Sequence, residues 1–288
     1  MKRPKGTGLR ITTILVAMVV GVVAVILVVC IGLFLDRYRS AMVQNARTSS
    51  AQAVSQVSNT VANYLDDMDQ AMEIVQQTLD EPDETRDRML QAFLYFRPDV
   101  VAVTSYDESG NLLDCWAIGH ELKDNALENL SFDREQAASG ADSFMLAPHV
   151  ESIFDSYYPW VVTMTTRLDS GSDAAWVSLD LSFSSLSSYI NNVGIGQRGY
   201  CFLIDEDGNL VYHPQQQLIY SGLKTEDTAG PAALADGVYD DDTVITCVNS
   251  VGDSGWRVVG VSYVDELVDR NVTEMVYLSA ELGALVLV

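Results

Sequence analysis

Basic side chains are scarce in this sequence. Its 288 residues contain 17 Lys and Arg against 40 Asp and Glu, which gives a formal net charge of −23. All 40 of the acidic residues follow position 35. Nucleic acid is therefore a poor partner for this acidic portion, because phosphate contacts need clustered Lys and Arg. Such a surface keeps a domain soluble and attracts cationic solutes in general.

Cysteine is also rare. Cys30 lies within a long apolar run, which leaves Cys115, Cys201 and Cys247 for the rest of the chain. An odd number without a C-x-x-C pair indicates neither a disulfide framework nor a zinc site. At most one bridge could form, and Cys201–Cys247 is the pair that falls within one domain.

Motifs for catalysis are missing as well. The histidines, His120, His149 and His213, are scattered through segments of strand or loop character. No Ser–His–Asp set, H-E-x-x-H or G-x-S-x-G accompanies them. No catalytic residue, metal or cofactor is therefore expected.

Residues 11–35 form a run without any charged side chain. At about 1.5 Å per residue, a helix of this length exceeds the roughly 30 Å hydrocarbon core of a bilayer. The run is too long for the apolar core of a cleavable signal peptide. We predict an uncleaved transmembrane helix, with residues 1–10 in the cytoplasm because of their Lys and Arg, and residues 36–272 outside.

The C-terminal segment, residues 276–288, is apolar apart from Glu281. It is too short to cross a bilayer as a helix. Residues 271–288 are therefore predicted to begin a second transmembrane helix that the sequence leaves incomplete. The alternative is a buried C-terminal helix.

A long helix is predicted to rise from the membrane over residues 36–85. The chain has no Pro or Gly from residue 36 to residue 79, and apolar residues recur there at steps of three and four, at Val54, Val57, Val61, Leu65, Met68, Met72, Val75 and Leu79. These positions share one face of a helix. That face would pack along a domain, or form a dimerising coiled coil, and the two interpretations are compatible. A homodimer through this stalk is the expected assembly.

An internal repeat follows the stalk. "YDESGNLL" begins at Tyr106 and "IDEDGNLV" at Ile204, so that the matching residues are offset by 98 positions. Each copy lies between strand-like runs and predicts a hairpin with an acidic turn. A calcium loop is the alternative for "DEDG", with Asn209 as an oxygen ligand two places after Asp207, but the required Glu is missing downstream. Two tandem α+β units, at residues 86–192 and 193–270, with about five antiparallel strands each, are the predicted architecture.

The second unit begins with three glycines, Gly194, Gly196 and Gly199, that match the dinucleotide fingerprint G-x-G-x-x-G. That motif needs a strand before it and a helix start after it. Here an amphipathic helix is predicted before the glycines and a strand, "YCFLID", after them. The glycines therefore indicate a connection from helix to strand and not a phosphate site.

In this order of elements the chain resembles the double-Cache sensory modules of bacterial sensor histidine kinases and chemoreceptors, whose units have a PAS-like sheet. "GQRGYCFLIDEDGNLVYHP" is similar to the family's glycine–strand–Asp-x-x-Gly–strand–His-Pro signature, and "GWRVVGVSYVDEL" to its final strand and turn. "PHVESIF" and "PWVVTMTTRL" are closer to the sensor-kinase branch. The resemblance covers about residues 36–270.

The resemblance implies an α+β fold in which a membrane-rooted helix precedes two Cache units. It also implies a bacterial inner-membrane protein whose distal unit binds a small extracellular ligand, polar or cationic, and signals to a cytoplasmic output. A two-component histidine kinase is the expected output. The alternatives are a chemoreceptor and a membrane-anchored binding or structural module without signalling.

Strand alternation predicts the ligand-binding face. In "AAWVSLDL", Trp176, Ser178 and Asp180 point to one side, whereas the aliphatic residues between them should pack on the long helix. A face with an aromatic ring, a hydroxyl and a carboxylate suits a small polar ligand. The competing role for Asp180 is to cap the helix that starts near Ser182.

The resemblance further implies an Asp that holds a ligand ammonium, matched by Asp180, and an Arg-x-Trp-Tyr cluster that holds the ligand carboxylate. Arg134 is present, but Gln136 and Ala137 replace the aromatic residues, which departs from the amino-acid-sensing pattern. A different pocket is the alternative, and its further candidate lining residues are Tyr106, Trp116, His149, Tyr158 and Trp160.

Overall fold

The computed structural model describes residues 11–124, 126, 132–169, 174–191, 193–195, 198–241 and 243–264, with the single positions 277 and 281. The predicted cytoplasmic residues 1–10 and almost all of the predicted second span, 271–288, lie outside the described residues. Helix α1 runs without interruption over Ile11–Leu79. It contains an 18-residue window with a mean hydropathy of 3.5, none of it buried, so its length and composition allow it to cross a membrane.

The first unit is built around a five-stranded antiparallel sheet with the strand order β2-β1-β5-β4-β3. In the part of this unit that the structure describes, three shorter helices accompany the sheet. Their bounds and those of the strands are α2 Asp83–Phe96, β1 Val100–Tyr106, β2 Leu112–Ala117, α3 Arg134–Ala138, β3 Ser143–Val150, β4 Trp160–Arg167, β5 Trp176–Ser182 and α4 Phe183–Asn191. Helix α2 was not predicted; it begins directly after Pro82, which ends the stalk segment.

The second unit repeats this plan with the strand order β7-β6-β10-β9-β8. Its elements are β6 Tyr200–Ile204, β7 Leu210–Tyr212, α5 Gln216–Tyr220, α6 Ala229–Ala232, β8 Gly237–Asp240, β9 Val244–Ser250 and β10 Arg257–Tyr263. In each unit the last strand lies at the centre, next to the first. The predicted double-Cache fold with two five-stranded sheets is therefore confirmed.

The repeated acidic motif forms the same turn in both units. Asp107 accepts a hydrogen bond from the backbone N–H of Asn111, and its second oxygen accepts one from the Asn111 amide, at 2.9 Å each. Asp205 binds Asn209 in the same way. Gly110 and Gly208 adopt φ values of +73° and +80°, which glycine takes without strain. The predicted hairpins are confirmed, and each turn uses its first carboxylate to hold its own backbone.

Helix α1 lies against the same face of both sheets. Its buried residues, the helix-facing residues of both sheets and parts of α2 and α4 form one continuous apolar cluster. All eight residues of the predicted stripe are buried in this cluster: Val54, Val57, Val61, Leu65, Met68, Met72, Val75 and Leu79. The stripe therefore packs on the domain, as one of the two interpretations held. It is not left exposed for a coiled coil.

The connection between the two units has the predicted order. Helix α4 buries Leu186 and Ile190, and strand β6 follows the glycine segment.

Cys201 and Cys247 do not form a disulfide, because they pair with Gly260 of β10 from opposite sides. Two strand spacings separate them by about 10 Å, beyond the reach of an S–S bond.

Helix α1 approaches the second sheet closely at Gly260. A Cβ atom there would clash with Val54 of α1 and would lie 2.9 Å from Ile195 Cδ1. We expect Gly260→Ala to lower the free energy of unfolding by about 1–3 kcal/mol through overpacking. Gly194→Ala is the matched control, because a Cβ at Gly194 would meet no atom within 4 Å. Thermal unfolding of both variants checks this, and equal stabilities would contradict the packing.

Candidate functional site

The two faces of β5 divide as predicted. Val177, Leu179 and Leu181 belong to the apolar cluster around α1. Trp176, Ser178 and Asp180 lie on the opposite face, and all three are buried. A polar row crosses the sheet here, since the Ser178 and Thr165 hydroxyls lie 2.7 Å apart.

Asp180 is the buried carboxyl group of this face, and its pKa is strongly raised. Its exposure is 4%, and its carboxylate accepts a hydrogen bond of 2.5 Å from the Thr163 hydroxyl. Burial and the nearby Glu151 carboxylate raise the pKa of Asp180 to about 7, against the smaller opposing effects of Thr163 and His149. The residue that precedes α4 is Ser182, and the Thr163 contact places the Asp180 carboxylate on the sheet face and not at the start of the helix.

Glu151 is a second buried carboxylate beside Asp180, with an exposure of 2%. One of its oxygens accepts hydrogen bonds from the backbone N–H groups of Ser152 and Ile153, at 2.7 and 3.1 Å. Its other oxygen lies 3.8 Å from His149 Nε2, which is too long for a hydrogen bond and leaves an electrostatic contact. Two carboxylates and one imidazole therefore share this part of the distal unit.

His149 is the basic member of this group. Burial would lower the pKa of its imidazole, but Glu151, the Ala147 carbonyl and the charge of Asp180 outweigh that effect and raise it. Its Nδ1 lies 3.0 Å from the Ala147 carbonyl oxygen. His149 Nε2 is a buried nitrogen without a hydrogen-bond partner among the described residues.

The aromatic end of the face is filled by side chains. Tyr106 and Trp176 pack with Phe132 and Phe144, and ring centroids are 4.7 Å apart for Tyr106–Phe132 and 5.8 Å for Phe144–Trp176. The Thr104 hydroxyl donates a hydrogen bond to the Tyr106 hydroxyl oxygen. These rings form a wall next to the polar group.

Three of the candidate residues lie elsewhere. Trp116 of β2 lies on the helix side of the sheet. Its indole N–H donates a hydrogen bond of 2.9 Å to Asp87 Oδ1 of α2. Tyr158 is 58% exposed and its ring faces Lys123. Trp160 lies at the start of β4 and stacks on Tyr220 of the second unit. The structure thus brings together only Tyr106, His149, Trp176, Ser178 and Asp180.

Arg134 is occupied by the hairpin turn. Its guanidinium donates to the carbonyl oxygens of Ser109 and Gly110, both at 3.1 Å. This contact agrees with the departure from the amino-acid-sensing motif at Gln136 and Ala137. The structure does not offer Arg134 as a clamp for a ligand carboxylate near Asp180.

Sequence reasoning missed Glu151 and the two threonines of β4. Thr163 and Thr165 alternate along "VVTMTTR" and pair with Asp180 and Ser178, so their spacing was a usable signal. Glu151 gave no such signal, because it follows β3 and owes its burial to the loop that leads into β4. His149 shares the face of Asp180 only because β3 contains an irregularity between Leu146 and His149.

The second unit holds a separate buried network around Glu226. This carboxylate accepts hydrogen bonds from Tyr200 and His213 and forms an ion pair with Lys224, all at 2.9 to 3.0 Å. The backbone N–H of Gln215 donates to His213 Nδ1, so Nε2 carries the proton that it donates to Glu226. Burial alone would raise the pKa of Glu226, but these three partners lower it to about 2.

A cavity of about 510 Å³ adjoins this network and is lined in part by Tyr200 and Glu226. The His-Pro pair of the sequence signature lies behind it, with His213 almost completely buried. Since Glu226 is already bound by three side chains, the network has a structural role in holding β7 and the following loop on the sheet.

Comparison with known proteins shows the family and the fold. A family model described as "Cache domain", of the double-Cache type, matches residues 38–270. The methyl-accepting chemotaxis protein McpC of Bacillus subtilis is 29% identical over 82 residues, which is 28% of this chain and 12% of that relative's length.

Solved ligand-binding domains of chemoreceptors have a similar fold. PctC of Pseudomonas aeruginosa in complex with GABA has a TM-score of 0.53 at 15% identity and covers 75% of this chain and 98% of its own. PctB of the same organism with L-Arg has a TM-score of 0.56 at 19% identity and coverages of 77% and 97%. Tlp3 of Campylobacter jejuni with L-valine has a TM-score of 0.58 at 12% identity and coverages of 80% and 97%. At these identities the likeness establishes the fold alone.

The raised pKa of Asp180 predicts a pH-dependent cost of its charge. Its contribution to stability is present below the unfolded pKa, about 3.9, and is lost as the pH rises through the folded value. At pH 8 we expect Asp180→Asn to have a higher free energy of unfolding than the unchanged chain, by about 1 kcal/mol or more. The gap should close near pH 4. Asp114→Asn, at an exposed aspartate of β2, is the control, and parallel profiles for both variants would contradict the assignment.

The lowered pKa of Glu226 predicts the opposite dependence. Its contribution to stability is present above the unfolded pKa, about 4.3, and is lost as the pH falls through about 2. At pH 7 we expect Glu226→Gln to cost about 1–3 kcal/mol, because Lys224 and Tyr200 lose a charged partner. Glu108→Gln breaks a surface pair with Arg167 and should cost less than about 1 kcal/mol. Urea unfolding at pH 7 and pH 3 measures both, and a Glu226→Gln loss no larger than the control would exclude a structural role.

Proposed function

Because the chain belongs to the double-Cache family, we propose that it is the extracytoplasmic sensor of a membrane-anchored bacterial receptor, most consistent with a chemoreceptor. The proposed ligand is a small molecule with an ammonium group that binds in the distal unit. The apolar N-terminal part of α1 supports anchoring in the inner membrane, with the two Cache units outside.

The observation that carries the ligand proposal is the buried carboxylate of Asp180. Its neighbours are a hydroxyl, a second carboxylate and an imidazole, and the raised pKa expresses the cost of its charge there. An ammonium group placed between Asp180 and Glu151 would supply an opposite charge and hydrogen-bond donors. The acidic surface would favour the approach of such a cation.

The ammonium, and not a ligand carboxylate, is expected to dominate recognition. Arg134 is bound to the hairpin turn. Gln136 and Ala137 stand where the amino-acid-sensing cluster has aromatic residues. The solved relatives bind GABA, L-Arg and L-valine. For this chain we therefore propose simple amines and amino acids as the ligand class, with similar affinity for an amine and its carboxylated counterpart.

The choice of output rests on the relatives. McpC is a chemotaxis protein and the similar solved domains come from chemoreceptors, which favours this output over the two-component histidine kinase expected from two short segments of the first unit. Mechanistically, a ligand would shift the population between two arrangements of sheet and helix, and α1 would carry the shift toward the membrane. Dimerisation through the stalk would use its polar face, because the apolar stripe is buried.

A thermal-shift experiment on the full chain in lipid nanodiscs tests the ligand class. We expect a raised unfolding midpoint with butylamine, GABA, L-valine or L-arginine, and none with butyrate or succinate. The shift should be lost in Asp180→Asn, although this variant is the more stable one without ligand, which separates a loss of binding from a loss of folding. Asp114→Asn should keep the shift.

Two results would count against the proposal. One is a shift with butyrate but not with butylamine, which would assign a cationic site. The other is an unchanged amine response in Asp180→Asn, which would remove this residue from the site.

A further inference from the structure

The two Cache units meet at a cleft of about 740 Å³ that residues of both units line. We call it the inter-unit cleft. The first unit contributes the loop before β4 and the start of α4, and the second contributes β7, the His-Pro turn and α5. The cleft is separate from Asp180 and from the cavity beside Glu226.

Aromatic rings form the walls of the inter-unit cleft. Trp160 of the first unit stacks on Tyr220 of the second, with ring centroids 5.9 Å apart and planes 17° from parallel. Phe183 and Tyr212 form a second pair across the units, at 5.4 Å. Trp160 is 38% exposed and Tyr220 is 60% exposed, so both offer open ring surface to an occupant.

The polar groups of the cleft are neutral. They are hydroxyls and amides, at Ser184, Ser187, Gln215, Gln216 and Gln217. Among the described residues that line the cleft, none carries a carboxylate, an ammonium or a guanidinium. His213 also lies there, but Gln215 N–H and Glu226 occupy its two ring nitrogens.

This combination differs from the rest of an acidic protein with a net charge of −23. A charged ligand would find no counter-charge on the lining residues and would have to leave water without compensation. Hydroxyls and primary amides match a ligand that both donates and accepts many hydrogen bonds. Exposed aromatic faces match a ligand with an apolar ring face. A saccharide ring has both properties.

From these observations we propose that the inter-unit cleft binds a neutral sugar, a monosaccharide or disaccharide, as a second ligand. The sugar ring would lie on the Trp160–Tyr220 pair, and its hydroxyls would bond to the Ser and Gln side chains. Because both units line the cleft, an occupant would favour one relative position of the units and so modulate the response to a ligand at Asp180. The proposal does not depend on the amine site.

Isothermal titration of the full chain in lipid nanodiscs tests this inference. The probes are D-glucose, D-galactose, D-ribose, N-acetyl-D-glucosamine and maltose. We expect at least one to bind, and Trp160→Leu, which keeps an apolar side chain but removes the ring, to weaken that binding at least tenfold. Tyr158→Leu is the matched control, because Tyr158 is an exposed aromatic nearby that does not line the cleft, and it should leave binding unchanged.

The outcomes separate the two sites. Sugar binding that survives in Asp180→Asn, together with loss in Trp160→Leu, supports the cleft. No binding heat with any of the five sugars overturns the proposal, as does equal weakening by Trp160→Leu and Tyr158→Leu. A failed amine screen beside intact sugar binding would reject only the amine site.

Discussion

The packing of one helix face against two sheets is the interaction on which the rest of this structure depends. Helix α1 buries its apolar stripe along both Cache units, and a single apolar cluster runs through them. Polar contacts fix its position on the second sheet, since the Ser50 and Ser262 hydroxyls lie 3.1 Å apart and Ser58 donates to the Ser250 carbonyl oxygen. Because the same helix continues into the charge-free N-terminal run, both units pack on a helix that is long and apolar enough to cross a membrane.

This packing decides which sheet face of each unit carries the polar side chains. One face of each sheet is committed to α1, so polar side chains collect on the other face, where loops cover them. In the first unit that face holds Asp180, Thr163 and Glu151, and in the second it holds the network around Glu226. The two carboxylate sites differ in their partners. Asp180 lies beside Glu151 and its pKa rises, whereas Glu226 pairs with Lys224 and its pKa falls. A negative charge is therefore disfavoured at the first site and stabilised at the second.

Much of the architecture was predictable from local pattern. The long helix, the two hairpins with their acidic turns, the order of helix and strand around the glycines and the two faces of β5 all follow from spacing between near neighbours in sequence. The shared face of Trp176, Ser178 and Asp180 was predicted correctly because alternation along a strand is strict, and their role in ligand binding stays a prediction. Trp116 and Trp160 do not lie with these three residues, since the type of a residue does not say which side of its own strand or which unit it will contact.

The sequence by itself determined the charge-free run that is long enough to span a membrane, the helix period and the twofold repeat, because each is a regularity of the chain that needs no distant partner. Only the tertiary structure decided that Glu151 and His149 lie beside Asp180, that Arg134 is held by a hairpin turn, and that Trp160 meets Tyr220 across the two units. These contacts depend on a strand irregularity, on loop paths and on how α1 sets the two sheets side by side. Each joins residues whose partners are fixed by packing and not by spacing along the chain.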